Sequence, residues 1–256
     1  MVTQSATTFA AVAFLLATAP TRAQPPAEAP PAQTVVRLPG LVADLERRVV
    51  DIDATVCLDQ GTLEFIACTK GTKEHESIVT VDARPTHIHA ALLLLGLRVG
   101  HPGMSRRMEG EPPRWEAIPP RGDPVEVSLV LRGVGGDPVE FPIRDFVSPA
   151  GQGDDAAPPR ARGDAGAPAP FPDVFLFTGS RVEQDEQGNR RYAADESGHV
   201  ISVATFGDEV LSVPDLQSAD NAALLWQINP ELLPKVGTRV TLRLRPKPVP
   251  AADASP

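Results

Sequence analysis

Apolar and polar positions alternate clearly at the start of the folded part of this chain. Between Arg47 and Leu58, Val50, Ile52, Ala54 and Val56 interleave with Asp51, Asp53 and Thr55, the period-two pattern of a strand with one face inward. Asp59-Gln60-Gly61 then supplies turn residues, so Thr62 to Thr69 is expected as the antiparallel partner of a hairpin. Lys70-Gly71-Thr72 turns the chain again, and Ile78 to Ala83 is apolar and β-branched enough for a further strand. Pro85 opens a helix that Gly96 closes; Ile88, Leu92 and Leu95 share one stripe while Leu93 and Leu94 fill the flanks. A helix apolar all round, here Pro85 to Leu97, is expected to be buried.

The second half repeats the strand signal. Val125 to Arg132 and Val139 to Val147 flank the turn cluster Gly133 to Pro138, and Val174 to Val182, Arg190 to Ala194 and His199 to Phe206 follow as strands. Arg98 to Pro124, rich in Pro, Gly and Arg, is expected to be a long crossover loop with one short strand near Trp115. Asp220 to Ile228 has a capping residue and an apolar stripe, so a short helix is expected there. Thr238 to Arg245 sets Val240, Leu242 and Leu244 against charged neighbours, as in a last strand with one wet face. The sum is an α+β fold: a mainly antiparallel β-sheet with one buried Leu-rich helix and a short C-terminal helix.

Proline, 28 of 256 residues, marks the linkers. Residues 24–44 are expected to be a Pro-rich tether, residues 45–246 a single domain carrying a disordered insertion at 148–172, and residues 247–256 a loose tail. Phe9 to Ala19 is an apolar run of secretory length, ending near the small-residue site Thr21-Arg22-Ala23. Residues 1–23 therefore read as a signal peptide, with an uncleaved anchor as the alternative, and the mature chain as periplasmic or secreted, with no membrane span left after cleavage. The net charge of −9 and pI of about 5.1 argue against nucleic acid as a partner, because counterion release needs clustered Lys and Arg.

Candidate chemistry collects in Lys73-Glu74-His75-Glu76-Ser77 and in the helix that follows. His75 with His89 is the candidate metal pair, since His87 and His89 point about 200° apart on a helix and cannot share an ion. A single divalent metal at His75, with Glu74 or Glu76 beside it, would give a metal-assisted hydrolase or redox enzyme. Ser77 with His75 is a candidate nucleophilic pair, although the strained turn that usually presents a catalytic serine is missing. The bland reading assigns no cofactor: on a strand, His75 and Ser77 share one face, Glu74 and Glu76 the other, and all serve the strand entry while His89 packs the helix. Cys57 and Cys68 are too few for an iron–sulfur cluster. Across the expected hairpin they would stand about 16 Å apart, which favours buried thiols over the disulfide usual in an exported chain.

VCLDQGTLEFIACTKGTKEHESIVTVDARPTHIHAALLLLGL (Val56 to Leu97), VFLFTGS (Val174 to Ser180), DEQGNRRYAAD (Asp185 to Asp195), HVISVATF and GTRVTLRL occur in order and resemble the YdjY-like domain of bacterial exported proteins. The resemblance implies one composite domain of unknown biochemical role and brings no catalytic residues. The cysteine motifs for which some relatives are labelled ferredoxin-like are missing from this chain. Two function classes follow: a non-enzymatic binding or envelope-associated module, whose partner could be another envelope protein, and an enzyme centred on His75. Convergence of His75, Ser77 and His89 in one pocket would favour the enzyme.

Overall fold

The computed structural model describes residues 34–133, 135–150, 170–185, 187–220 and 224–248. In chain order come β1 (Val35–Leu38), β2 (Leu41–Asp44), β3 (Val49–Val56), β4 (Phe65–Thr69), β5 (Ser77–Val81) and the helix α1 (Pro85–Leu94). Next are β6 (Met104–Met108), β7 (Arg114–Ile118), β8 (Pro124–Arg132), β9 (Pro138–Pro142) and β10 (Val147–Pro149). The remainder is β11 (Phe175–Phe177), β12 (Val182–Gln184), β13 (Arg190–Tyr192), the one-turn helix α2 (Ala193–Ser197), β14 (His199–Ser202), β15 (Leu211–Ser212), β16 (Trp226–Ile228) and β17 (Arg239–Pro246).

Eight strands close into a barrel. β3, β17, β8, β11, β15, β14, β4 and β5 pair in that order, and β5 returns to β3. Val56, Val79, Ala67, Ile201, Leu211 and Phe177 are successive partners across five ladders. Partners opposite one another share a face, and all six are buried. Ile52, Leu242 and Leu129 make a second row and Val50, Leu244 and Val127 a third, again buried throughout. Alternate positions point out and carry charge: Arg243 on β17 reaches Asp51 on β3 at 2.7 Å and Glu140 on β9 at 2.8 Å. Burial would raise the Glu140 carboxyl, but Arg245 and Arg243 outweigh it and hold it at about 2.

Two neighbouring pairs, β4 with β5 and β14 with β15, run parallel. Each is joined by a short crossover, residues 70–76 and 203–210, that carries the chain back along the strand it has just made. Parallel neighbours normally take a dozen or more residues for this return. Outside the barrel, β1 and β2 extend β3, β9 covers β8, and β6 with β7 forms a separate arm whose Trp115 is 67% exposed.

Strands make up 43% of the structure and helical residues 12%, so the expected α+β class gives way to a mostly β closed barrel with two short helices. The expected hairpin of Thr62 to Thr69 on β3 does not form, because β5 lies between β3 and β4 and pairs with both. The Leu-rich helix is present over Pro85–Leu94 but packs against β2, β3 and α2 through one side rather than being buried all round. Only its Pro85, Ile88, Ala91 and Leu92 side is buried, whereas Leu93 and Leu94 are 45% and 50% exposed. In place of the short C-terminal helix, Trp226 and Ile228 are the buried positions of β16, antiparallel to β10, so pairing overrides the local helix preference. Residues 34–44, expected in the tether, form the β1–β2 hairpin instead. The expected signal peptide, the greater part of the insertion and most of the tail lie outside the described residues.

Leu92→Ala should destabilise the fold by about 2–5 kcal/mol, the usual loss at a buried leucine, and Leu94→Ala by less than about 0.5 kcal/mol, as at an open surface. Denaturant midpoints of the two variants check this; equal losses would restore a fully buried helix.

Candidate functional site

The polar word of the sequence is the first crossover. Gly71, at a φ of 79°, reverses the chain, and its N–H donates to Glu74 Oε1, which keeps the Glu74 carboxyl below its ordinary range. Glu74–Glu76 then form one 3₁₀ turn rather than the expected strand entry. Thr72 Oγ1 donates to Thr69 O at 2.6 Å and Ser77 Oγ to Lys73 O at 2.7 Å, pinning both feet of the loop. The loop packs on Gly198, where a Cβ would fall 2.5 Å from the hydroxyls of Thr69 and Thr72 and where φ is +78°. No other residue type fits that point without displacing the crossover.

Ser77 is fully buried, and its hydroxyl proton goes to a backbone carbonyl rather than to a base. His75 is 68% exposed in its side chain, with Glu76 Oε1 3.2 Å from its Nε2. His89 sits elsewhere, on α1, half-buried between Phe177 and Tyr192. Ser180 N–H donates to Tyr192 Oη at 3.0 Å, which leaves the phenol proton for His89 Nδ1, 2.7 Å away. Burial holds His89 below its ordinary range and pushes Tyr192 up to about 12. Each candidate thus has its own surroundings, and among the described residues no group of three or more His, Cys, Asp or Glu is placed to hold a metal ion.

The sequence reading passed over the roles of four acidic residues, Glu64, Asp208, Glu209 and Asp195. Glu64, 5% exposed, lies beside Glu76, with Lys73 Nζ 3.9 Å from the first and 3.5 Å from the second. Burial and then the neighbouring Glu76 push the Glu64 carboxyl up to about 7; Glu76, despite burial, is lowered by its hydrogen bond with Glu64 and by Lys73, so one proton is shared between them. In the second crossover, Asp208 accepts from His199 Nδ1 at 2.6 Å beside stacked Phe65 and Phe206, and Glu209 is fully buried with Oε1 lacking a partner. Burial raises the Glu209 carboxyl. Asp195 of α2 caps α1: it accepts from Thr86 N at 2.9 Å, Thr86 Oγ1 at 3.0 Å and Arg84 at 2.8 Å. Local sequence could signal none of these, since the partners of Glu64, Asp195 and Asp208 come from other elements and the burial of Glu209 arises only when the barrel closes over it.

The segments that meet here are the ones the resemblance rests on: Gly179-Ser180 against His89, Tyr192 and Asp195 against α1, and His199 beside Phe65. A family model, the YdjY domain, matches residues 41–245. The chain belongs to the YdjY domain family. No curated protein and no solved structure gives a significant match. In this YdjY domain, no helix among the described residues is long and apolar enough to cross a membrane.

The Glu64–Glu76 pair gives the YdjY domain a defined pH response. A carboxyl raised from 4.5 to about 7 in the folded state contributes stability that is fully present below about pH 4.5 and is lost as pH rises through about 7. Glu76, being lowered, acts in the opposite sense, and its contribution is lost as pH falls. Denaturant midpoints between about pH 5 and pH 8 should therefore decline more steeply in wild type than in Glu64→Gln, whose amide donates to Glu76 without titrating. Parallel profiles would show that the two carboxyls do not share a proton.

Proposed function

We propose that this YdjY domain is a non-enzymatic binding module, exported and associated with the cell envelope. The observation that carries this reading is the dispersal of the chemistry-bearing side chains. Ser77 is sealed into the barrel wall, His75 stands in solvent with Glu76, and His89 is committed to Tyr192 under α1. A catalytic constellation needs a nucleophile or metal, a base and an open reacting position within about 3 Å of each other. The polar groups near β5 spend their hydrogen bonds on the loop that carries them. Export is supported by the apolar Phe9 to Ala19 run and the small residues before Gln24.

Fractionation of cells making the full chain should place it in the envelope or periplasm with an amino terminus near Gln24. The purified protein should hold no stoichiometric zinc or iron, and His75→Ala should change neither metal content nor melting temperature. A cytoplasmic protein beginning at Met1 would contradict export. Zinc or iron that leaves with His75→Ala would replace the module by a metal-assisted enzyme.

A further inference from the structure

The arm of β6 and β7 stands apart from the barrel, and every residue of its two strands is exposed except Ile118, which is half-buried. A two-stranded ribbon is marginal in water; stable sheets add a third strand or a packing face. β7 pairs with β6 alone, and among the described residues its other edge meets no backbone group. A free edge is a template for another strand. The ladder sets Arg106 opposite Glu116, Arg107 opposite Trp115 and Met108 opposite Arg114. Opposed residues share a face, so Arg107 and Trp115 lie on one side of the arm and Arg106, Glu116, Met108 and Arg114 on the other. Arg106 Nε donates to Glu116 Oε2 at 3.1 Å, whereas Arg107, Arg114 and Trp115 have no ion pair, hydrogen bond or ring contact among the described residues.

β7 opens Arg114-Trp115-Glu116, a base, an aromatic ring and an acid in succession, an order that complements itself when reversed. Laid antiparallel on β7 of a second copy with Trp115 facing Trp115, each Arg114 stands opposite a Glu116. Centring the pair on Glu116 instead opposes two carboxylates, and centring it on Arg114 opposes two guanidinia, both destabilising. The β6 edge, Met104 to Met108, has two arginines and no acid, so it offers no such register. We propose that β7 is an interface between two copies of this chain, joined edge to edge about a twofold axis that passes between their Trp115 residues. The product is a four-stranded sheet, with β7 of each copy at the centre and β6 of each copy outside. On one face every Glu116 then lies between Arg106 of its own arm and Arg114 of the second copy. On the other face the two indoles, 67% exposed in the single chain, lie side by side between the two Arg107 guanidinia. Strands of five residues bury less than the roughly 1,200 Å² of a standard interface, so the association is reversible and governed by protein concentration.

Sedimentation velocity of the purified full chain over a concentration series tests the interface. The expected result is a reversible monomer–dimer equilibrium whose dissociation constant rises about tenfold or more in Trp115→Ala and in Arg114→Glu, the loss of one good interface contact. Inverting the whole row, Arg106→Glu with Arg114→Glu and Glu116→Arg, restores opposite signs both within the arm and between copies. Association should then return to within about threefold of wild type. The arm is not part of the barrel, so all these variants should keep the wild-type melting temperature at concentrations where the monomer prevails. Leu94→Ala, on the exposed side of α1, should associate as wild type does. A monomer at every concentration up to about 1 mM would overturn the proposal, and so would a dimer indifferent to Trp115→Ala and Arg114→Glu. Association lost in Arg114→Glu but not regained on inverting the row would overturn it as well, because the opposed charges would then not set the register.

Discussion

The parallel pairing of β4 with β5 constrains everything around it. Phe65 stands opposite Ser77 and Thr69 opposite Val81, so residues 70–76 must return the full length of β4 before β5 can begin. A return that short holds a single 3₁₀ turn and no α-helix with which to satisfy its backbone, and buried donors and acceptors left open are costly. The side chains of the crossover supply the partners instead. Glu74 takes the Gly71 N–H, Thr72 binds the Thr69 carbonyl, and Ser77 binds that of Lys73. With β5 placed, its other edge meets β3 and the barrel closes.

The second crossover solves the same problem with different residues. Glu209 Oε2 accepts from the N–H groups of Gly207 and Asp208 at 2.7 and 3.1 Å, and His199 ties Asp208 to β14. The two loops meet through β4 and β14: Glu64 O accepts from Val203 N at 2.8 Å, and Thr69 N donates to Gly198 O at 3.0 Å. Polar residues that resemble a catalytic cluster in one dimension are therefore accounted for by backbone satisfaction in three.

The strands with one wet face were legible in the sequence. β3 and β17 alternate apolar and charged positions because their outer sides meet solvent and Arg243 lies between Asp51 and Glu140. β4, β5 and β14 were harder to place, since loops cover their outer faces and they are buried almost throughout, which leaves no alternation to fix register or partner. Asp59-Gln60-Gly61 has turn chemistry, but turn residues do not name the strand that pairs next, and β5 took the place expected for β4. The helix start was visible in Pro85, whereas its cap was not, because Asp195 arrives from far along the chain. Leu93 and Leu94 misled for a plain reason: apolar residues on an exposed helical face look the same in one dimension as buried ones.

Amide hydrogen exchange across β5 tests most directly whether the polar word fastens the crossover. Replacing Ser77 by Ala removes the bond to Lys73 O, and protection should then fall at the β5 amides paired with β3 and β4 while β8 and β17 keep theirs. His75→Ala, which removes only an exposed imidazole, should leave all four strands protected. Unchanged protection in Ser77→Ala together with loss in His75→Ala would contradict the account, because the imidazole and not the buried hydroxyl would then be holding the barrel closed.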